Sequence, residues 1–276
     1  MPTPQPPDHT HGHAIFPQEL FDRLIDLVEA DNSQRHALLN FSLVSKAWAC
    51  QSRKRIFRTV NLRSKNQFKL WCKNITPGPD GPSPLVRVLR FSQMERDEWI
   101  TPSTLLEGEE HLTSFTNLKG FFTIGFNTIY FMDRAPLTQC FRTIGQDLRF
   151  VRFHHVRGTP QTLISLIQQF PTTQTLAIEY YTEAGVAPSE EPIDETTGQF
   201  QGCLRLLSID ISGLSVIDSI ARLPLKYEEV HLTSCFHFVE PYNRLFLACA
   251  STLERLRIID TRKPRSHWAP PLGTSI

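Results

Sequence analysis

The sequence predicts an α/β protein in which a small three-helix unit precedes an irregular array of strand–helix units. Two observations support this fold class. Apolar residues recur at helical spacing between positions 16 and 56, and seven later segments repeat the apolar pattern L-x-x-L-x-L or a close variant of it. An ordinary α/β sheet domain is the alternative for the second region.

The first region carries the start signals of three short helices. Pro17 can occupy a first turn, where its missing N–H costs little, and apolar residues follow it at helical spacing. A polar stretch then supplies turn and capping chemistry for a second helix. Ser45 can cap a third helix, on which Trp48, Ser52 and Ile56 share one face. Three helices this close together predict a compact unit.

The second region repeats one apolar pattern, with Val60 and Leu62 as its first strand. The middle apolar residues of the successive strands are Val60, Leu89, Phe121, Val151, Leu176, Leu207, Val230 and Leu256. They lie 29, 32, 30, 25, 31, 23 and 26 residues apart, close to the period of about 20–29 residues in leucine-rich repeats. Helix start signals such as Thr159-Pro160 lie between the strands. One such unit cannot bury its apolar face alone, so the period predicts an array of stacked units.

The formal net charge of +1 conceals a strongly basic segment. From Asn32 to Pro79 the chain has ten Lys or Arg residues and no Asp or Glu. Such a segment could be a solvated face, could neutralise nucleic-acid phosphates, or could meet an acidic protein surface around an apolar centre. The apolar residues that so small a unit cannot all bury are Phe16, Pro17, Leu20, Leu43, Val44 and Trp48. Leftover apolar surface favours a protein partner.

The composition indicates an ordinary globular protein, with 40% hydrophobic and 21% charged residues. No apolar run approaches the 18 or so residues of a membrane span, and the first residues lack the apolar stretch of a signal peptide. Six cysteines without a CxxC pair predict reduced thiols. We therefore expect a soluble protein of the cytoplasm, the nucleus or both, without a membrane partner.

The usual catalytic and nucleotide-binding signatures are absent, including GxSxG, GxxxxGK[ST], HExxH and GxGxxG. His154 has no nucleophile or carboxylate at a spacing that ties it to chemistry, and the group His231, Cys235 and His237 has no specified third ligand or orienting acid. Histidines at 9, 11 and 13 could bind a metal, but a solvated tail is favoured. We predict no enzyme activity, no cofactor and no metal site, with a cryptic enzyme as the least favoured alternative.

Residues 15–60 contain the stretch FPQELFDRLIDLV…LLNFSLVSKAWACQSRKRIFRTVNL. This stretch resembles an F-box, whose motif it matches at Pro17, Glu19, Leu20, Ile25, Leu27, Leu43, Val44, Ser45, Lys46, Trp48, Arg53 and Phe57. Phe16 replaces the commoner leucine before the proline and keeps an apolar side chain there. The resemblance implies docking on a Skp-family adaptor and, through it, on a cullin–RING ubiquitin ligase. The adaptor-binding residues that it implies are Phe16, Pro17, Leu20, Ile25, Leu43, Val44, Lys46 and Trp48, although Trp48 suits a core position equally well.

Beyond Val60 the chain is similar to F-box proteins with divergent leucine-rich repeats, as found in fungal-type families. That resemblance implies that the sheet face or neighbouring loops hold a protein target. The strand register predicts outward side chains at Arg90, Ser92, Arg152, His154, Glu179, Ser208, Asp210, His231, Thr233 and Arg257. The partner-binding candidates among them are Arg90, Arg152, His154, Asp210, His231 and Arg257. Their mixed charge favours a protein ligand and disfavours nucleic acid.

The predicted organisation is a disordered arm (1–13), a three-helix F-box-like domain (14–60), an irregular leucine-rich-repeat-like α/β solenoid (61–262) and a C-terminal tail (263–276). The predicted function is target recognition within an SCF-type (Skp–cullin–F-box) E3 ubiquitin ligase, with an unknown protein substrate. The alternatives are an F-box scaffold or regulator acting outside the ligase, and a nucleic-acid-binding protein that uses the basic segment 35–73.

Overall fold

The computed structural model describes residues 17–30, 35–92, 100–128, 135–184, 203–211, 214–223, 226–233 and 239–259. The chain divides between Ile56 and Phe57 into two compact units, called here the N-terminal unit and the C-terminal unit. This division lies a few residues before the boundary at 60 that the sequence predicts. Among the described residues, no helix is both long and apolar enough to cross a membrane.

The N-terminal unit contains three helices, α1 (Gln18–Ala30), α2 (Arg35–Phe41) and α3 (Lys46–Ile56). The predicted cap of α3 is confirmed, because Ser45 Oγ accepts a 3.3 Å hydrogen bond from the Trp48 N–H. The buried core of this unit is small and consists of Phe21, Ile25, Val28 and Leu38.

The C-terminal unit is built on one parallel sheet, which confirms the α/β class. Its strands are β1 (Thr59–Leu62), β2 (Val88–Ser92), β3 (Gly120–Ile124), β4 (Phe150–His154), β5 (Arg157–Gly158), β6 (Thr175–Glu183), β7 (Cys203–Ile211), β8 (Lys226–Thr233) and β9 (Arg255–Ile259). The strands are ordered β1-β2-β3-β4-β6-β7-β8-β9, with the short β5 paired only to β6. Apart from β5, the spatial order of the described strands is therefore their order in the chain.

The helices of the C-terminal unit connect these strands. They are α4 (Lys65–Asn74), α5 (Pro102–Glu107), α6 (Glu109–Thr113), α7 (Ala135–Gly145), α8 (Pro160–Ile167), α9 (Leu214–Arg222) and α10 (Val239–Cys249). The predicted start of α8 is confirmed, since Thr159 and Thr162 form a reciprocal capping box. Helix α4 is not among the sequence predictions, although Ser64 caps it by accepting a hydrogen bond from Gln67 N–H.

The predicted middle residues of the repeat form one continuous row across the sheet. Val60 pairs in register with Leu89, Leu89 with Phe121, and the row continues through all eight residues to Leu256. The first seven of them are buried within one core, together with apolar residues of the helices. Leu256, on the last strand, is 45% exposed. The apolar pattern therefore identifies the helix-facing side of the sheet correctly.

Candidate functional site

The opposite side of the sheet carries two rows of residues that cross the strands, and we call it the polar face. The first row is Arg90, Phe122, Arg152, Ala177, Ser208, His231 and Arg257. The second row is Ser92, Ile124, His154, Glu179, Asp210 and Thr233. Side chains alternate between the two sides of a strand, so both rows lie opposite the core. The six predicted partner-binding residues thus all occupy register positions on the polar face.

The polar face does not bring these six residues into one site. Arg90 lies on β2 and Arg257 on β9, six strand spacings away, or about 29 Å at about 4.8 Å per strand. Near the β9 end, His231 Nε2 lies 2.8 Å from the carboxylate of Glu229. Ser92 belongs to the second row but is buried, with its hydroxyl 3.2 Å from the Asn61 side-chain oxygen. The β2–β6 end is therefore a site separate from His231 and Arg257.

Three charged or titratable side chains meet on β4 and β6. Arg152 Nη2 donates a 2.7 Å hydrogen bond to Glu179 Oε2, and His154 Nε2 lies 3.8 Å from the same oxygen. The Glu179 side chain is 19% exposed, so this ion pair is better shielded from water than an ordinary surface pair. The Glu179 carboxylate is therefore already paired with the Arg152 guanidinium.

Two aromatic side chains adjoin this group in unusual backbone conformations. His155 has a φ of 52° and Tyr180 a φ of 53°, both in the left-handed region that non-glycine residues rarely adopt. Their rings stack at 4.8 Å with an interplanar angle of 16°. The His155 N–H also donates a 2.9 Å hydrogen bond to the Glu179 carbonyl, which links the end of β4 to the middle of β6.

A register shift explains how Tyr180 reaches this surface. The pairing of β6 with β7 shifts between Glu179 and Tyr181, as at a β-bulge. Tyr181 is consequently buried, with its hydroxyl donating a 2.6 Å hydrogen bond to the Gly158 carbonyl. Tyr180 is left 37% exposed. Sequence alternation alone assigns the two tyrosines to the reverse sides, so it could not have found Tyr180.

Arg90 lies at the edge of this group, over the ring of Phe122 at 4.8 Å from its centroid. Phe122 in turn stacks on Phe150 with centroids 5.0 Å apart. Arg90 is exposed, but partial desolvation of its guanidinium lowers its pKa, and the positive charge of Arg152 lowers the pKa further. We use the name arginine–histidine cluster for Arg90, Arg152, His154, His155, Glu179 and Tyr180.

His154 is a half-buried member of the arginine–histidine cluster whose pKa is lowered. Burial lowers the pKa of His154, the charges of His155 and Arg152 lower it further, and Glu179 opposes them. Among the described residues, its Nδ1 atom has no hydrogen-bond partner. A proton on His154 would therefore be held less well in the folded state than in the unfolded chain.

This depressed pKa predicts a loss of stability in acid. Because the folded pKa of His154 is below its ordinary value of about 6.5, the unfolded state binds more protons as the pH falls below that value. The free energy of unfolding should therefore decrease from pH 7.5 to pH 5, and less steeply in His154→Asn. Urea denaturation at several pH values measures this, with the exposed His36→Asn as control. Equal pH dependence in wild type and His154→Asn would contradict the prediction.

The N-terminal unit exposes a large amount of aliphatic side chain, called here the aliphatic surface. Its members are Leu20, Leu24, Leu27, Leu39, Leu43 and Val44, which are 36–84% exposed. Leu20, Leu24 and Leu27 recur at helical spacing and form one stripe of α1. Leu43 and Val44 occupy the turn between α2 and α3. Six of the eleven exposed large hydrophobic residues of the described chain thus belong to this small unit.

The structure separates the eight predicted adaptor-binding residues into exposed and buried groups. Pro17, Leu20, Leu43, Val44 and Lys46 are exposed, and Phe16 lies outside the described residues. The prediction that Ile25 contacts the adaptor is corrected here, because its side chain is 1% exposed and belongs to the core of the unit.

Trp48 also belongs mainly to that core. Its ring centroid lies 4.1 Å from that of Phe21 and 5.0 Å from that of Phe41, and its side chain packs against the buried cluster. Aromatic pairs in such contact contribute about 0.5–1.5 kcal/mol beyond the area they bury. Trp48 therefore holds α3 against α1 and α2 and is only partly exposed.

The other candidate clusters named from the sequence lie wholly or partly outside the described residues. Cys235 and His237, and the histidines at 9, 11 and 13, lie outside the described residues. Within the described part of the chain, no three His, Cys, Asp or Glu residues are grouped as metal ligands. Burial raises the pKa of Cys140 to about 12, which makes that thiol unreactive at neutral pH.

The chain was compared with protein-family models and with curated proteins. No family model matches it, and no curated protein matches it significantly. The functional assignment must therefore come from the residues and geometry of the aliphatic surface and the polar face.

Proposed function

We propose that this chain is the substrate-recognition subunit of an SCF-type E3 ubiquitin ligase. In this proposal the N-terminal unit is an F-box that docks on a Skp-family adaptor and, through it, on a cullin. The C-terminal unit is an irregular leucine-rich-repeat-like solenoid that binds a protein target on its polar face. The chain performs no covalent chemistry itself, because its contribution is to hold the target near the ubiquitin-charged enzyme and raise their effective concentration.

The observation that carries this proposal is the aliphatic surface. Leu20 is 53%, Leu43 84% and Val44 64% exposed, and all three occupy positions at which the chain resembles the F-box motif. Burying such side chains in a partner would contribute about 1.5–3 kcal/mol for each leucine or valine that becomes fully buried. The neighbouring Lys46 and Arg53 are also exposed and would favour encounter with an acidic partner.

The sheet supports the second half of the proposal. Parallel strands that follow one another in chain order, with helices between them and equivalent apolar residues in register, are what stacked strand–helix repeats produce. The polar face combines Arg90 and Arg152 with Glu179 and Glu229, a mixture of charges that suits a protein ligand. Nucleic acid is disfavoured because carboxylates on the same face would repel phosphates.

We expect the wild-type chain to form a one-to-one complex with a Skp-family adaptor on co-purification, and a Leu20→Asp, Val44→Asp double variant to form none. Each aspartate would place a charge in an apolar interface, so the combined loss should exceed a hundredfold in affinity. Both positions are exposed, and circular dichroism should therefore show an unchanged fold.

Leu247→Asp is the matched control, since Leu247 is 77% exposed but lies on α10 of the C-terminal unit. This variant should bind the adaptor as the wild type does. Absence of any complex with the wild type would sink the proposal. A complex without ubiquitin-dependent turnover of any bound protein would instead favour a scaffold acting outside the ligase.

A further inference from the structure

Within the arginine–histidine cluster, Arg90 is a cation that is not paired with a carboxylate of the described chain. Glu179, the carboxylate of this group, accepts a hydrogen bond from Arg152. No ion pair or hydrogen bond joins Arg90 to a carboxylate elsewhere in the described chain; its contact is with the ring of Phe122. Arg90 is exposed, but one face of its guanidinium lies on the Phe122 ring and is shielded from water there. A guanidinium held in this way gains more from an anion than a fully hydrated one does.

The second guanidinium is close enough to share that anion. Arg90, Phe122 and Arg152 are neighbours in one row, so the two arginines are two strand spacings apart, or about 10 Å at the backbone. Both side chains rise from the same side of the sheet, and the charge of Arg152 lowers the pKa of Arg90. An oxyanion above Phe122 would relieve this like-charge repulsion and accept charge-assisted hydrogen bonds from both.

The stacked rings of His155 and Tyr180 form an aromatic surface beside the charged side chains of the cluster. The His154 ring meets both of them edge-on, at 4.3 Å and 5.1 Å. Each of the two residues in the left-handed region costs about 1–3 kcal/mol of stability, and a β-bulge adjoins them. Such strain beside a β-bulge is typical of a binding site, where it fixes side chains in a required position.

We propose that Arg90 and Arg152 anchor a carboxylate side chain of a peptide ligand, with the His155–Tyr180 ring pair packing against the residue beside it. Calling that ligand a ligase target rests on the function proposed above, whereas the site itself does not. A carboxylate is preferred to a nucleic-acid backbone because Glu179 leaves this end of the face with one net positive charge. The rings also stack on each other, so no base can lie between them.

A copolymer of glutamate and tyrosine is a suitable probe, because it presents carboxylates beside aromatic rings in many local sequences. We expect the fluorescein-labelled copolymer to bind the full chain, as measured by fluorescence anisotropy. Arg90→Gln should weaken binding about tenfold, the usual effect of losing a hydrogen bond to a charged group. Arg90 makes no hydrogen bond with described protein groups, so this variant should fold normally. Tyr180→Ala should weaken binding by a smaller factor.

Arg222→Gln is the control, since it removes the same charge from an exposed position of α9. It should bind the copolymer as the wild type does. No binding by the wild type, or equal weakening by Arg90→Gln and Arg222→Gln, would overturn the proposal. If phosphate competes with the copolymer far more strongly than acetate does at equal ionic strength, the site prefers a phosphoryl group, and the proposal of a carboxylate is overturned. If oligothymidylate binds the wild type and Arg90→Gln abolishes that binding, the proposal that the ligand is a peptide is overturned.

The two proposals fail independently in these experiments. Copolymer binding is measured without an adaptor, so loss of the adaptor complex would leave the anion site standing. Conversely, Arg90→Gln should retain the adaptor complex, since Arg90 lies in the C-terminal unit. An Arg90→Gln chain that loses the adaptor as well as the copolymer would contradict the separate roles assigned to the two surfaces.

Discussion

Phe121→Ala is expected to destabilise the C-terminal unit by about 3–5 kcal/mol, the usual range for truncating a buried phenylalanine. Phe121 is fully buried on β3, an interior strand of the sheet. Its ring centroid lies 5.9 Å from that of Phe91, 6.0 Å from Phe141 and 5.7 Å from Phe170. Removing it would open a cavity that three rings and two neighbouring strands border, and such packed rings cannot all move to fill it.

Phe122→Ala is the natural control, because the next residue of the same strand points to the polar face and is only partly buried. This variant loses the stack on Phe150 and the contact with Arg90, so we expect its free energy of unfolding to decrease by about 1–2 kcal/mol. Thermal unfolding followed by circular dichroism should show a decrease in Tm of roughly 6–20 °C for Phe121→Ala and a clearly smaller one for Phe122→Ala. Equal decreases would contradict the assignment of the two faces.

Gly158→Ala is expected to have the second largest effect, a loss of about 2–4 kcal/mol. A Cβ atom at this position would overlap the Thr128 hydroxyl and lie 3.0 Å from the Thr162 hydroxyl. These two hydroxyls are hydrogen-bonded at 2.8 Å in a partly buried site. Rotating Thr128 away would break that bond, and moving Gly158 would strain the hydrogen bond that its carbonyl accepts from Tyr181.

A second substitution tests this explanation. Thr128→Ala removes the overlapping oxygen and leaves only its Cβ, 3.2 Å from the new methyl group. The double variant Gly158→Ala, Thr128→Ala should therefore be more stable than the sum of the two single changes predicts, by about 1 kcal/mol or more. Urea denaturation of the four chains gives this coupling energy. Simple additivity would show that the overlap with Thr128 is not the cause.

The sequence was sufficient to place most of the sheet, because its repeating apolar pattern reflects burial directly. Val60, Leu89, Phe121 and Val151 pair in register, as their common place in the repeat predicts. Polar residues between them had to lie on the other side, since side chains alternate along a strand. The row from Arg90 to Arg257 was accessible to sequence reasoning for the same reason.

Features that depend on local contacts could not be predicted in this way. Tyr180 is exposed and Tyr181 buried because of a bulge, and a bulge shifts the alternation by one residue without leaving a signal in composition. The left-handed conformation of His155 is likewise unexpected for a residue other than glycine. Trp48 suited core and surface equally until its contacts with Phe21 and Phe41 were known.

Helix α4 illustrates a different limit. Its capping residue, Ser64, stands three residues before Gln67, but the helix is short and carries only one fully buried apolar side chain, Phe68. A helix of this kind has too weak a periodicity to be distinguished from a loop by pattern alone. Its position is determined by packing: Phe68 contacts Phe91, and Trp71 contacts Phe115, both distant in the sequence.

The serial order of the strands also bears on how such a chain can change over evolutionary time. Each main strand bonds only to the strands immediately before and after it in the chain, apart from the short β5. Loss or duplication of one complete unit would therefore require a new junction only between its two neighbours. A sheet in which distant segments interleave would have to reorganise throughout. A protein of this design can lengthen or shorten its sheet by one strand–helix unit at a time while the remaining units keep their packing.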